Sequence, residues 1–151
     1  MNPDFRDLLS ELLDRGVEFL VVGAHALAAH GHVRATKDID IWIRPEAKNA
    51  DRVFHALAAF GAPLHDLTPE ELARPGLILQ IGVPPVRIDV ITEIDGLEFS
   101  QAWRDRIAAQ LGDLTVPVLS RAHLITNKRA SGRLQDLADI EQLEKIDSAG
   151  D

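Results

Sequence analysis

Two carboxylates separated by one apolar residue, Asp38-Ile39-Asp40, open a run that continues Ile41-Trp42-Ile43. No other stretch constrains the fold as much. The run is strand-like, and residues i and i+2 of a strand point to one face. Asp38 and Asp40 therefore stand side by side, while Ile39, Ile41 and Ile43 face the other way. Like charges that close repel unless something positive lies between them. A divalent metal ion meets that need, so the pattern points to metal-dependent chemistry on phosphates. Upstream, the apolar strand 17–23 ends Val21-Val22-Gly23, just before the alanine-rich stretch that begins at Ala24. A glycine between a strand and a helix lets the backbone approach a phosphate closely.

The rest of the chain supports one compact unit over residues 1–151. Hydrophobic residues make up 46% and charged residues 26%, enough apolar material for a single core. There is no cysteine, which excludes disulfides and thiolate metal sites and fits a cytoplasmic location. The first residues lack a signal-peptide layout, and no apolar stretch is long enough to span a bilayer, so no membrane partner is expected. A net charge of −8 argues against a general nucleic-acid coat protein, which needs the opposite sign. Any RNA contact is then confined to a local basic patch.

Helical spacing of Phe5, Leu8, Leu9, Leu12 and Leu13 follows an Asn2-Pro3 start and stops at Gly16. The sequence predicts strands over 17–23 and 37–43, with a short helix over 24–30 between them. Further helices are predicted over 46–60 and from the capping box Thr68-Pro69-Glu70-Glu71. Strands 77–83 and 86–92 flank Pro84-Pro85, consistent with a hairpin. A helix is expected over 100–110 and a strand over 114–119, where Pro117 is most easily tolerated at a sheet edge. Helices capped by Ser120 and running over 134–146 complete the chain, with 147–151 frayed.

A third aspartate lies in Arg87-Ile88-Asp89-Val90. Burying it in an apolar strand is costly unless it is paired, hydrogen-bonded or metal-bound. If its strand lies beside the Asp38–Asp40 strand, three carboxylates converge. Such a trio suits attack by a hydroxyl on the α-phosphorus of a nucleoside triphosphate. Two Mg²⁺ ions about 3.5–4 Å apart favour loss of the hydroxyl proton and neutralise the leaving pyrophosphate. Magnesium prefers hard oxygen ligands. Asp38 and Asp40 would bridge the ions, and Asp89 would hold the acceptor side and help to take the proton.

These residues resemble the polymerase-β-like nucleotidyltransferase superfamily: a glycine-led loop, an Asp-x-Asp strand and a later strand carboxylate. A narrower likeness, to the small bacterial AbiEii-type nucleotidyltransferase proteins, covers Gly23-Ala24-His25-Ala26 through Asp40. It continues through Leu124-Ile125-Thr126-Asn127-Lys128 and Gly132-Arg133-Leu134-Gln135-Asp136-Leu137-Ala138-Asp139-Ile140. The resemblance implies an α/β (α+β) nucleotidyltransferase fold, a mixed β-sheet flanked by helices with further helices at the C-terminus. It implies Mg²⁺-dependent transfer of a nucleoside monophosphate to a hydroxyl on RNA, a protein or a small molecule. Metal roles fall on Asp38, Asp40 and Asp89, the phosphate loop on Gly23 and Ala24, and a triphosphate contact on Lys128. Ala24 departs from the glycine or serine usual there, so its amide remains but no hydroxyl does. Some AbiEii-type relatives are toxins that modify tRNA ends and others pair with antitoxins, which makes a cognate antitoxin an implied partner.

Plainer readings compete. Asp89 could simply pair with Arg87 on the same strand face. Lys128 could be an ordinary helix-surface lysine, and Arg34 and Thr36 either touch phosphates or a base, or solvate a loop. For Asp139, helix-surface pairing is expected; for Asp136 that reading and a functional one stand level. His25, His30 and His32 lack the i, i+4 spacing of a helical zinc site. Trp42 shares the face of the two aspartates but is expected in the core or at its rim. A catalytically inactive nucleotide-binding or regulatory module with the same fold is the alternative to an enzyme.

Overall fold

The computed structural model describes residues 1–33, 38–83 and 86–150. Its elements are α1 (Pro3–Asp14), β1 (Phe19–Val22), α2 (Gly23–Ala29), β2 (Ile39–Ile43), α3 (Ala47–Phe60), α4 (Pro69–Leu72) and β3 (Ile78–Val83). They continue with β4 (Val86–Ile91), α5 (Phe99–Arg104), β5 (Ile107–Leu111), β6 (Leu114–Val118), α6 (Arg121–Ser131) and α7 (Leu134–Gly150). Six strands make one mixed sheet in the order β3-β4-β2-β1-β6-β5. This is the mixed, helix-flanked sheet expected from the sequence.

Local chemistry sets most boundaries. Asn2 caps α1 by accepting the Asp4 amide at 2.8 Å, and Phe5, Leu8, Leu9 and Leu12 form its buried face. Ser120 caps α6 through the His123 amide, and Gly61 and Gly132 close α3 and α6 in the left-handed conformation. β1 lies inside the sheet with all four residues buried. Beyond its far end, buried Asn49 ties the segments beside β1 and β2 together, accepting the Glu18 amide and donating to the Glu18 and Arg44 carbonyls. β2 is covered on both faces. Ile39, Ile41 and Ile43 are fully buried on one; on the other, Trp42 packs edge-on against Phe99 at 5.0 Å. Trp42 is therefore a core residue.

The structure departs from the sequence reading in three places. The helix expected over 100–110 runs instead over Phe99–Arg104, and Ile107–Leu111 forms β5. Ile107, Ala109 and Leu111 are half-buried while Ala108 and Gln110 are exposed, a period of two. Pro117 does not sit at an edge, because β6 lies between β1 and β5. The described ladder to β1 has the single pair Val21↔Val118, so the missing proline donor falls where little ladder exists. Finally, α7 continues through the stretch expected to fray, as far as Gly150. The expected Pro84-Pro85 turn lies outside the described residues. No helix among the described residues is long and apolar enough to cross a membrane.

Candidate active site

Strand direction assembles the site. β1 and β2 are antiparallel with Val22 opposite Asp40, so the end of β1 meets the start of β2. β4 runs parallel to β2 with Asp40 opposite Asp89. Asp40 and Asp89 thus lie at one level on adjacent strands, next to Gly23, which opens α2 directly after β1, and Asp38 lies just before β2. The convergence expected of the three aspartates is present.

Gly23 is required by two separate constraints. Its φ is +69°, a left-handed conformation costly for any residue with a Cβ. A Cβ there would also lie 2.2 Å from Oδ2 of Asp40. Gly23→Ala should cost at least the 1–2 kcal/mol of the backbone alone, about that range being typical, and should push the Asp40 carboxylate out of place. Urea unfolding measures the first effect; a variant as stable as its parent would contradict the close approach.

Electrostatics single out Asp40. Burial, then the Asp89 and Asp38 carboxylates, push its pKa from 3.8 up to about 6, with Arg87 opposing. The Arg87 guanidinium lies among the carboxylates. It donates to Asp89 through Nε at 2.8 Å and Nη2 at 3.2 Å, and Nη2 is 3.5 Å from Asp38. The backbone amide of Arg87 also donates to Asp38 Oδ1 at 3.1 Å. The Asp89–Arg87 pair weighed from the sequence is real, and it coexists with the trio. Among the described residues no three histidine or carboxylate side chains already close on one ion-sized point.

The carboxylates open into a cavity of about 660 Å³. Gly23, Ala24, Asp38, Asp40, Arg87 and Asp89 line one side of it; Asn127, Lys128, Ser131 and Arg133 line another. Lys128 is not a surface lysine. Its side chain is 7% exposed and Nζ lies 3.3 Å from Asp136 and 3.2 Å from Asp139. Neither aspartate is at the helix surface: their side chains are 1% and 0% exposed. The surface pairing expected for Asp139 is thereby corrected. Arg133 grips Asp136 through Nε at 2.8 Å, and His32 lies 3.5 Å from Asp139. Burial pulls the Asp136 carboxyl upward, but Arg133 and Lys128 outweigh it and hold it below the ordinary range. Sequence reasoning missed this buried cluster, although the i, i+3 spacing of Arg133 and Asp136 and of Asp136 and Asp139 put all three near one face.

The histidines diverge. His30 Nε2 is 2.9 Å from the Leu119 carbonyl oxygen, His32 faces Asp139, and His25 packs edge-on against Phe5. Arg34 and Thr36, expected to contact the nucleotide, lie outside the described residues.

Comparison with known proteins bears on the family and the fold. The profile of a family described as a nucleotidyltransferase of unknown function (DUF6036) matches residues 4–149. No curated protein matches the chain by sequence. Among solved structures, the chain is similar to the lincomycin-bound lincosamide antibiotic adenylyltransferase LnuA, with a TM-score of 0.61 at 14% identity over 97% of this chain and 98% of that one. It is also similar to ANT(2″)-Ia in complex with adenylyl-2″-tobramycin, with a TM-score of 0.57 at 12% identity over 96% and 93% of the two chains. At such identities the likeness is one of fold.

Proposed function

We infer function from what the chain is: it belongs to the nucleotidyltransferase family of unknown function DUF6036. We propose that it moves a nucleoside monophosphate from a nucleoside triphosphate to an acceptor hydroxyl, at the cavity bounded by Asp38, Asp40 and Asp89. The observation that carries this reading is the register Val22↔Asp40↔Asp89, which gathers the carboxylates beside the Gly23 loop. Burial, then the Asp89 and Asp38 carboxylates, raise the Asp40 carboxyl to about 6, and the three carboxylates offer only hard oxygen donors. The set therefore fits Mg²⁺, which Asp38, Asp40 and Asp89 would hold. When bound, magnesium supplies charge neutralisation on the phosphates and lowers the pKa of a ligated hydroxyl.

The chain's own groups do the rest. The backbone at Gly23 and Ala24 borders the space for the triphosphate, with Lys128 across the cavity; Arg34 and Thr36, just before Asp38 in the sequence, are further proposed nucleotide contacts. The acceptor oxygen bonds to the α-phosphorus, its proton passes to the Asp89 carboxylate, and the α–β bridging bond breaks to release pyrophosphate. The named activities of the two solved relatives make ATP the first donor to try and a small hydroxyl-bearing molecule the first acceptor.

Incubation with each labelled triphosphate, Mg²⁺ and cell extract should label an acceptor. Asp38→Asn/Asp40→Asn should lose that labelling, and a fully active double variant would end the proposal. Ala24, which offers no hydroxyl, favours the second reading of a binding or regulatory module; triphosphate binding by calorimetry without turnover would select it. A toxin role with a cognate antitoxin rests on the sequence resemblance. It predicts growth arrest on expression, relieved by Asp40→Ala.

A further inference from the structure

We propose that Arg87 is a transferable counter-ion. Without metal its guanidinium neutralises the carboxylate trio; when divalent cations enter, it is displaced into the same cavity and takes hold of the triphosphate. This rests on the function proposed above and extends it to a residue that neither the motif nor the family description assigns.

Geometry supplies the first half. Arg87 and Asp89 are i and i+2 on β4, so their side chains share a face. The guanidinium forks onto both Asp89 oxygens at 2.8 and 3.2 Å and approaches Asp38 at 3.5 Å. It thus occupies two of the three groups that would bind metal. A divalent cation entering the trio meets that like charge at close range, and the fork already takes a lone pair on each Asp89 oxygen.

Charge supplies the second half. Once divalent ions replace the guanidinium, like charges repel it from the carboxylates. Its β4 anchor and its place in the cavity wall keep it within that cavity. The strongest anion then present is the triphosphate. Arginine's planar fork matches phosphate oxygens as well as carboxylates. Lys128 across the cavity does not meet that need alone, since Asp136 and Asp139 already share its ammonium. The amide of Arg87 continues to anchor Asp38 whatever the side chain does, so the trio keeps its backbone support when Arg87 is substituted.

Removing the guanidinium should therefore move two affinities in opposite directions, which a merely structural role would not do. The test uses the full chain as Arg87→Gln, with Arg87→Lys as a second variant that keeps a charge but loses the fork. Both are first checked for folding by circular dichroism. Mn²⁺ binding without nucleotide, read by calorimetry, should tighten by about tenfold in Arg87→Gln. Binding of a non-hydrolysable triphosphate analogue at saturating Mn²⁺ should weaken by a similar factor, with Arg87→Lys intermediate in both. Equal or weaker Mn²⁺ binding in a folded variant overturns the inference while leaving the metal site standing. Tighter Mn²⁺ with unchanged analogue binding overturns the handover. Absence of Mn²⁺ binding in the wild type overturns the functional reading itself, and this inference with it. Should Arg87→Gln not fold, Arg87→Lys decides by the same two signs.

Discussion

Asp40→Asn should lower nucleotide transfer by about 10³-fold or more, yet make the metal-free protein more stable above pH 6. The two effects share one cause. Asp40 ionises at 3.8 in the unfolded chain and at about 6 in the fold, because of burial first and then the neighbouring Asp89 and Asp38 carboxylates. Between those values the folded state keeps a proton that the unfolded chain has released. Stability therefore falls as pH rises through that window and the deficit is complete above it. The difference between the two values corresponds to about 3 kcal/mol. Asparagine has no proton to lose and escapes the penalty. Urea unfolding in EDTA from pH 4 to pH 8 should show a declining wild type and a flatter variant, the curves separating above pH 6. Added Mg²⁺ should restore the wild type and leave the variant unchanged. A variant less stable than wild type at pH 7.5 would refute the strained trio.

The site was legible in the sequence wherever the physics is local. Asp38-Ile39-Asp40 on an apolar strand and Gly23 at a strand end need only period-two geometry and a φ preference. The parallel pairing that sets Asp40 beside Asp89 is not local, because β2 and β4 are separated by α3, α4 and β3. Only the cost of a lone strand aspartate hinted at it. Strand β5 was missed for the opposite reason. Ala108 and Ala109 favour a helix, and pairing with β6 overrides that preference. The turn Gly112-Asp113 between Leu111 and Leu114, with φ +61° at Gly112, carried the hairpin signal. Asp139 read as a surface charge, and Asp136 stayed open between a surface and a functional reading, because nothing in a helix sequence reveals which face a lysine on another helix will meet. Their burial is fixed by the docking of α7 on α6, a tertiary event.

That docking makes Lys128, buried against two carboxylates, a stability determinant outside the apolar core. Lys128→Met keeps much of the side chain's volume and removes its charge, leaving Asp136 and Asp139 buried with less compensation. Breaking a buried ion pair from one side typically costs about 3–5 kcal/mol, and this residue serves two carboxylates. Arg133 and His32 soften the loss but cannot replace an ammonium that lies within 3.3 Å of both. Protonation should relieve the damage. In the variant the stranded carboxylates ionise less readily, so its folded state binds protons more tightly than its unfolded chain does. The deficit should therefore shrink as pH falls towards 4 and widen as pH rises, which thermal melts across that range would record. Asp139→Asn in the Lys128→Met background should recover part of the stability at neutral pH, although the same change alone in the wild type should destabilise. That reversal of sign belongs to a coupled buried pair. Simple additivity in the double variant would mean that Lys128 and Asp139 do not depend on each other. If stability is recovered in the double variant while transfer remains lost, Lys128 also acts on the triphosphate across the cavity and is more than the post on which α7 is hung.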